Sequence, residues 1–517
     1  MLYRIAPDTH QPHYLTIEAR LTDINTDTVE LQLPAWRPGR YELQHFAKNI
    51  QQFSVSDGAG QALPFCKITK DCWLVQTNGA PEIVARYTYY ANVVNAGSSF
   101  VSNELLYINP VNLCLYADGR ILEPCTVDIV LPETWHVATG LAALPGDKTP
   151  NPVDAGVGLS DFAVAEKEMP YVTVPKSARQ TSRRWTSTDF YELIDCPILA
   201  APYLRHIEFA VRGVAFHVWA QGHYPFDAAR VVADFSRFAE TQLAVFGEFP
   251  EADYHFLTIF LITAVYHGVE HRNSTVLVLG PDLAGAELYQ DWLGVASHEL
   301  FHAWNIIRIR PAELLPYDLT RENYFETCFV AEGITTYYGD LMLRRAGVTD
   351  DATYKKELQV VCKRHFEQGG RAAQSLTEAS WDLWLDGYEK GIPDRKVSVY
   401  HKGALVSLIL DLHLRRKTNH TKTLDDVIRA MWQRFGKPFI GYTIGDYRAV
   451  VQEIANENMD WYFDTCITGN APLAGLLNQY LAFVALHVGV DETGGVVLRE
   501  LPDAGGIRQR ARWLDGA

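Results

Sequence analysis

The chain has 517 residues, of which 48% are hydrophobic and 21% are charged. This is the composition of a globular protein with enough length for several hydrophobic cores. With 46 Lys and Arg against 62 Asp and Glu, the net charge is −16. Such an acidic chain disfavours binding to nucleic acid or to an anionic membrane surface, so we expect neither as a partner.

The N-terminus reads "MLYRIAPDTHQPHYL" and lacks the basic start and long apolar stretch of a signal peptide. No run of 18 or more apolar residues occurs, so we expect no membrane span. The eight cysteines form no CxxC pair and follow no disulfide-scaffold spacing, which predicts reduced and mostly buried thiols. Together these features predict a cytoplasmic protein.

The first 165 residues alternate apolar and polar positions over short runs. Examples are "HYLTIEARLTDI", "TVELQLPAW" and "CTVDIVLPETWHV", with Gly, Pro, Asn and Asp between the runs. Several such strands with frequent turns are typical of a β-sandwich. A polar stretch begins at about residue 176, and we set the boundary of this N-terminal β domain at residue 170.

The remainder changes from mixed structure to helices. Strand-like "HIEFAVRGVAFHVWA" and "YHFLTIFLIT" flank "DAARVVADFSRFAETQLAVFG", whose apolar residues recur at helical spacing. From about residue 284 helical patterns dominate, as in "KGALVSLILDLHLRRKT". We therefore predict a multidomain α+β protein, with a mixed α/β domain at 171–345, a helical domain at 346–485 and a short extension at 486–517 that contains strand-like pieces.

The segment "SHELFHAWN" at 297–305 places two histidines four residues apart. On a helix, residues i and i+4 lie on one face, so His298 and His302 can direct imidazole nitrogens at one Zn²⁺. Glu299 lies about 100° around the helix and can reach a metal-bound water without binding the metal. This HExxH pattern predicts two zinc ligands and a general base.

The alternative is a chance match, which arises in on the order of a few per cent of chains with this length and histidine content. The local context favours a buried helix, because apolar side chains flank the motif at helical spacing and Asp291 could cap the helix N-terminus. The flanking apolar residues are Leu293, Val295, Leu300, Phe301 and Trp304.

Tetrahedral zinc in a hydrolase needs a third protein ligand and one position open to water. The segment "CFVAEGITTYYGDLML" at 328–343 places Glu332 at the end of an apolar run and at the start of a helical pattern. A carboxylate in such surroundings is costly unless it is paired or binds a metal, so Glu332 is our third ligand. The alternatives are that Glu332 is an exposed helix residue, or that Glu322 or Glu326 takes its place, although both have more polar neighbours.

At this point the chain resembles the glycyl aminopeptidase family of zinc peptidases, which carry HExxH, then WN, then an Arg-Pro pair, then EG-x-T-x-YY. The matching segments here are "SHELFHAWNIIRIRP" and "AEGITTYYGD", and "LPAWRPGRYELQHFAKNI" and "FYELIDCPI" resemble the start of the family's two halves. The resemblance covers the chain to about residue 485. It implies a gluzincin, with the mixed domain thermolysin-like and Tyr337 and Tyr338 in the core. Only some thirty residues follow, too few for the PDZ domain with which the family commonly ends.

Two further segments resemble parts of zinc aminopeptidases. "YHGVEHRNST" at 266–275 resembles a Gly-x-x-Glu strand whose carboxylate, here Glu270, binds the α-amine of the substrate, although His267 stands where the family usually has a first glycine. "VSVYHKGALV" at 397–406 resembles a segment whose tyrosine, here Tyr400, faces the scissile carbonyl. Without the resemblance, Glu270 could be a surface strand residue and Tyr400 a core or capping residue.

The resemblance implies a zinc aminopeptidase with one Zn²⁺ per chain that removes glycine or alanine from peptides with a free N-terminus. Cobalt or manganese could occupy the same donor set. Two other functions stay open: a metalloendopeptidase on the same fold, and a catalytically silent protein that binds peptides.

Overall fold

The computed structural model describes residues 1–8, 10–144, 153–154 and 179–516. These residues divide into two compact units. The first unit comprises Met1–Ala229, Asp253–Asp291 and Leu319–Arg321, and the second comprises Arg230–Ala252, Trp292–Asp318 and Glu322–Ala517.

The first unit contains nearly all of the described strands. In chain order they are β1 Leu2–Pro7, β2 Tyr14–Leu21, β3 Thr28–Gln32, β4 Ile50–Asp57, β5 Phe65–Thr69, β6 Cys72–Gln76, β7 Ile83–Tyr90, β8 Phe100–Val101, β9 Leu106–Ile108, β10 Tyr116–Ala117, β11 Cys125–Pro132, β12 His136–Thr139, β13 Ala142–Ala143, β14 Val153–Asp154, β15 Gln180–Ser187, β16 Ile198–Ala201, β17 Arg205–Val211, β18 Val214–Gln221, β19 Asp253–Phe260, β20 Val265–Glu270 and β21 Ser274–Gly280.

A seven-stranded sheet with the order β13-β15-β11-β1-β2-β7-β4 and a four-stranded sheet with the order β10-β3-β6-β5 form the N-terminal part. The alternation in β2 works as the sequence predicts, because Leu15 and Ile17 are fully buried while Thr16 between them is exposed. The two sheets face each other: Phe53 of β4 stacks on Trp73 of β6 with the ring centroids 4.6 Å apart. A second four-stranded sheet has the order β12-β16-β9-β8.

A six-stranded sheet follows, with the order β14-β17-β18-β19-β21-β20. Strands β18, β19 and β21 are mutually parallel, and β20 pairs antiparallel with β21. Parallel strands need a long connection, which helix α2 at Ala228–Phe246 provides between β18 and β19. The edge strand β20 carries Glu270 as its last residue.

The second unit is mainly helical. Helix α1 at Phe190–Ile194 lies in the first unit. The α-helices that follow α2 in the chain are α3 Ala286–His302, α4 Ile334–Arg345, α5 Asp351–Phe366, α6 Leu376–Trp381, α7 Leu383–Asp386, α8 Val399–Thr418, α9 Leu424–Met431, α10 Ile444–Ala455, α11 Asp460–Tyr462, α12 Ala474–Leu481 and α13 Ala504–Leu514. Helix α8 is buried on nearly every side, and Ser398 caps its N-terminus by accepting a hydrogen bond from the His401 backbone N–H.

The C-terminal residues form a hairpin of β22 at Leu486–Val490 and β23 at Val496–Glu500, followed by α13. The sequence predicts the strands but not the helix. Helix α13 buries Trp513, whose indole Nε1–H donates a 2.9 Å hydrogen bond to the Tyr337 hydroxyl. Helix α13 is therefore packed against the core of the second unit.

The predicted fold class is confirmed: an N-terminal β-sheet domain, a mixed α/β middle and a helical C-terminal region. The predicted boundary at residue 170 lies outside the described residues, and the boundaries at 345 and 485 stay predictions. Among the described residues, no helix combines the length and the apolarity that crossing a membrane requires.

Candidate metal centre

Helix α3 holds the two motif histidines one turn apart. It begins at Ala286, so Asp291 lies inside the helix and the prediction that it caps the N-terminus is wrong. The flanking side chains Leu293, Val295, Leu300, Phe301 and Trp304 are all buried, as the sequence predicts. His302 is the last helical residue and is 1% exposed.

Glu332 lies in a π-helical turn, Phe329–Gly333, that leads directly into α4. Single π-helical turns occur frequently at functional sites, because the extra residue redirects side chains. Glu332 is 3% exposed, and its Oε2 lies 3.3 Å from His302 Nε2 and 3.7 Å from His298 Nε2. The two Nε2 atoms are 3.1 Å apart. The structure therefore brings the three predicted ligands together.

The protonation of His302 follows from its neighbours. Its Nδ1 lies 2.8 Å from the backbone oxygen of Asn305, which can only accept, so Nδ1 carries the proton of the neutral ring and Nε2 presents a lone pair. Burial lowers the pKa of His298, which favours a second neutral imidazole. Two imidazole lone pairs and a carboxylate then face one point, where only a cation satisfies all three.

The spacing fits zinc. Ligand atoms about 2.0–2.2 Å from a tetrahedral Zn²⁺ are about 3.3–3.6 Å apart, close to the three separations here. Burial opposes the charge on Glu332, but the neighbouring His302 and His298 outweigh it and hold the pKa of Glu332 below its usual range, so the carboxylate is ionised. The residues present therefore fit a zinc ion.

Asn305 joins the two segments that carry the ligands. Its backbone oxygen orients His302, and its side-chain Nδ2 donates to the backbone oxygens of Val330 at 2.8 Å and Ala331 at 3.0 Å, which directly precede Glu332. Nδ2 also lies 3.1 Å from the hydroxyl of Thr335. The Trp-Asn pair of the sequence does not predict this role for Asn305, because a local pattern does not reveal partners 25 residues away.

Glycines allow the segments around the ligands to approach closely. A Cβ on Gly333 would lie 2.5 Å from the Cα of Gly403, and one on Gly403 would lie 2.7 Å from the Cα of Gly333. These contacts bring the first turn of α8 against the Glu332 turn. A Cβ on Gly339 of α4 would lie 3.4 Å from the Cβ of His298, so α4 also packs tightly on α3.

The two residues predicted to act on the substrate within this unit lie on the same elements. Glu299 is 5% exposed, and one of its carboxylate oxygens lies within 4.8 Å of a ring nitrogen of His302. Tyr400 is half-buried in the first turn of α8, the turn that Gly403 holds against the Glu332 segment.

Glu270 and His267 belong to the first unit. Glu270 is 8% exposed, and Gly39, at φ +81°, makes room for it: a Cβ there would lie 2.8 Å from Glu270 Oε2. Glu270 is therefore not the surface strand residue of the alternative interpretation. His267 Nδ1 accepts a 3.2 Å hydrogen bond from the Ala96 backbone, and burial, Arg37 and Arg40 lower the pKa of His267 to about 4.

The competing carboxylates lie elsewhere. Glu326 is exposed and Glu322 is only half-buried, and neither belongs to a ligand cluster among the residues that the structure describes. Tyr337 and Tyr338 pack in the core, as predicted, and their hydroxyls donate 2.6 Å hydrogen bonds to Asp411 and Asp425.

Two family models match the chain. Residues 2–156 match the Peptidase M61 N-terminal domain, and residues 291–406 match the M61 glycyl aminopeptidase model. The second match includes His298, His302, Glu332 and Tyr400. A comparison with curated proteins found no match.

Solved structures resemble the whole chain. An aminopeptidase N family protein from Idiomarina loihiensis is 28% identical, with a TM-score of 0.82 over 95% of this chain and 79% of that one. An M1 zinc metallopeptidase from Deinococcus radiodurans is 13% identical, with a TM-score of 0.53 over 91% of this chain and 94% of that one. A mutant of the latter, bound to a Tyr-Ser-Ala substrate, has a TM-score of 0.54 at 13% identity. At that identity the likeness concerns the fold.

Proposed function

Because the chain belongs to the M61 glycyl aminopeptidase family, we propose that it is a zinc aminopeptidase that releases glycine or alanine from the N-terminus of peptides. The observation that carries this proposal is the convergence of His298, His302 and Glu332 on one point, with both histidines suited to the neutral form. One Zn²⁺ per chain would be held by these three side chains.

When bound, zinc would lower the pKa of a coordinated water to about 7 and polarise the substrate carbonyl. Glu299 is the general base: it accepts the proton of the water that attacks the first peptide carbonyl carbon, and it then delivers a proton to the leaving amine nitrogen. Its burial beside His302 supports this role, because a carboxylate there is shielded from bulk solvent.

Tyr400 donates a hydrogen bond to the carbonyl oxygen as negative charge develops on it. The support is its place in the first turn of α8 and its match to the tyrosine of related aminopeptidases. The Gly333–Gly403 contact fixes that turn relative to the ligand segment, so the hydroxyl is held by packed helices.

Glu270 binds the ammonium group of the first residue. Its burial against Gly39 at the end of β20 supports this role, because a buried carboxylate interacts strongly with a cationic group that reaches it. Lowering of the pKa of His267 by burial, Arg37 and Arg40 keeps that imidazole neutral, so it does not repel the ammonium group. The His267 side chain also takes up space on the same strand, at a position where the family usually has glycine. This is consistent with a substrate whose first residue has a small side chain.

The proposal includes a cytoplasmic location. All eight cysteines are free thiols, and seven of them are buried, which suits a reducing compartment.

A metalloendopeptidase on this fold is the second candidate. The test is hydrolysis of glycine and alanine p-nitroanilides and of Gly-Ala-Ala, each with a free and an acetylated N-terminus. We expect cleavage of the free forms only, with loss of activity in a zinc chelator and recovery on adding Zn²⁺. Equal cleavage of acetylated peptides would establish the endopeptidase, and no cleavage of any peptide by zinc-loaded protein would leave a catalytically silent peptide-binding protein.

A further inference from the structure

A second group of metal-ligand side chains lies on the six-stranded sheet, within the first unit. His206 and Glu208 are on β17 and His217 is on β18. The antiparallel register places Glu208 opposite His217 and His206 opposite Trp219. Because opposite residues share a face and alternate residues return to it, all three side chains lie on the same side of the hairpin.

The three groups are close enough to share an ion. His206 Nε2 lies 3.0 Å from His217 Nδ1, and Glu208 Oε2 lies 3.9 Å from the same nitrogen. One ligand atom from each residue lies within 4.8 Å of the others. Since ligands of tetrahedral zinc are about 3.3–3.6 Å apart, small adjustments of Glu208 and of the two rings would close the site.

Packing fixes both imidazole rings. His206 stacks on Trp219 with the centroids 3.8 Å apart, and His217 stacks on His255 at 4.5 Å. Trp219 in turn belongs to an apolar core with Leu257. A ligand set whose rings are already oriented loses little conformational entropy when it binds an ion.

The His217 ring is in the form that binds metals. Burial, together with the neighbouring His255 and His206 and against the effect of Asp253, lowers the pKa of His217 to about 4. The imidazole is therefore neutral near pH 7, which is the form that binds metals. The Glu208 side chain is 62% exposed, so an ion can reach the site from solvent.

A neighbouring group, His217 with Asp253 and His255, has similar spacing. There Trp219 Nε1–H donates a 3.1 Å hydrogen bond to His255 Nδ1, so a neutral His255 carries its proton on Nε2. That nitrogen lies 3.8 Å from Asp253 and has no lone pair to offer a metal. His255 therefore supports the ring of His217 but does not bind the ion.

We propose that His206, Glu208 and His217 form a second, non-catalytic binding site for a divalent transition-metal cation such as Zn²⁺. Two imidazoles and one carboxylate are a zinc donor set. The ion would link the two strands of the β17–β18 hairpin, whose turn is formed by Arg212 and Gly213 in positive-φ conformations.

The test is the zinc content of the full chain after equilibrium dialysis against buffered micromolar Zn²⁺. We expect two zinc ions per wild-type chain, and one in His206→Ala and in His217→Ala, both of which should keep their peptidase activity. His10→Ala is the exposed control and should retain two. His255→Gln should also retain two, since His255 is not a ligand.

Equal zinc content in the wild type and in both His206→Ala and His217→Ala would overturn the proposal. Loss of the second ion in His255→Gln but not in His206→Ala would assign it to the neighbouring group and equally overturn it. His298→Ala separates this site from the proposed catalytic one, because it should keep the hairpin ion. If a variant fails to fold, anomalous scattering from a zinc-soaked wild-type crystal decides: a peak between His206 and His217 supports the site, and its absence overturns it.

Discussion

His302 and Asn305 orient each other at the end of α3: the imidazole Nδ1–H of His302 donates a 2.8 Å hydrogen bond to the Asn305 backbone oxygen. The side chain of Asn305 extends the connection to the backbone oxygens that precede Glu332. One asparagine therefore sets the tautomer of one ligand and the position of another. Groups that orient metal ligands in this way contribute strongly to metal affinity.

Asn305→Ala should weaken zinc binding about 10- to 100-fold, because the carbonyls of Val330 and Ala331 lose their donor and the Glu332 turn is free to shift. Competition with a chromophoric chelator measures this dissociation constant. Asn458→Ala, an exposed asparagine of the same unit, is the control and should bind zinc like the wild type. Unchanged affinity in a folded Asn305→Ala protein would show that Asn305 does not position the ligands.

Glu299→Gln should lower kcat by about 10²–10⁴-fold with zinc content unchanged, since the amide keeps the shape of the side chain but cannot accept the water proton. The measurements are hydrolysis of alanine p-nitroanilide and the zinc content of the same preparation. Glu326→Gln, an exposed glutamate of the same unit, should keep full activity. Zinc loss in Glu299→Gln, or normal turnover, would contradict the assignment as base.

Tyr400→Phe should lower kcat about 10²- to 10³-fold and leave KM nearly unchanged, because the hydroxyl acts on charge that develops only in the transition state. Steady-state kinetics with the same substrate separate the two constants. A rise in KM with normal kcat would instead indicate that Tyr400 contributes to ground-state binding.

Gly403→Ala should destabilise the protein by about 1–3 kcal/mol, because its Cβ would lie 2.7 Å from the Cα of Gly333 and force α8 away from the ligand turn. Activity should fall as well. Gly475→Ala in α12 is the matched control: nothing lies within 4 Å of its Cβ, so the substitution should stabilise the protein by about 0.5–1 kcal/mol. Urea unfolding measures the free energy of unfolding of both variants. A Gly403→Ala protein that is as stable as the wild type, or more stable, would refute the packing account.

Asp340→Asn should stabilise the protein above pH 7 and have a smaller effect near pH 5. Burial, assisted by the charge of Glu357, raises the pKa of Asp340 to about 7, above its unfolded value of about 3.9. The folded state then binds the proton more tightly, so stability is lost as pH rises from about 4 to about 7. Because Asp340 is partly exposed, we expect a gain of only about 1–2 kcal/mol at pH 8.

Urea unfolding at pH 5 and pH 8 measures the free energy of unfolding of each protein. Glu357→Gln should shift stability in the same direction by a smaller amount. A difference between Asp340→Asn and wild type that is equal at both pH values would contradict the raised pKa.

The sequence predicts the features that depend on the spacing of apolar residues and on the free-energy cost of burying a charged group. The alternation in β2 gives its buried face, and the cost of an unpaired carboxylate in an apolar segment gives the burial of Glu332. The sequence does not predict contacts that depend on the folded backbone. The Gly333–Gly403 contact and the hydrogen bonds of Asn305 join segments far apart in the chain, and neither leaves a local pattern.

Helix α13 shows how tertiary packing overrides local preference. Its first turn contains Gly505 and Gly506, residues that disfavour helices. Asp503 caps both of their backbone N–H groups, and the burial of Trp513 stabilises the helix against the second unit. A propensity-based analysis therefore predicts only strand-like pieces in this region.

The most direct test of the central claim is a crystal structure of the zinc-loaded protein with anomalous data at the zinc edge. The account predicts one ion about 2.0–2.2 Å from His298 Nε2, His302 Nε2 and a carboxylate oxygen of Glu332, with a water at the remaining position. No anomalous density at that point, or a Glu332 carboxylate turned away from the ion, would contradict it.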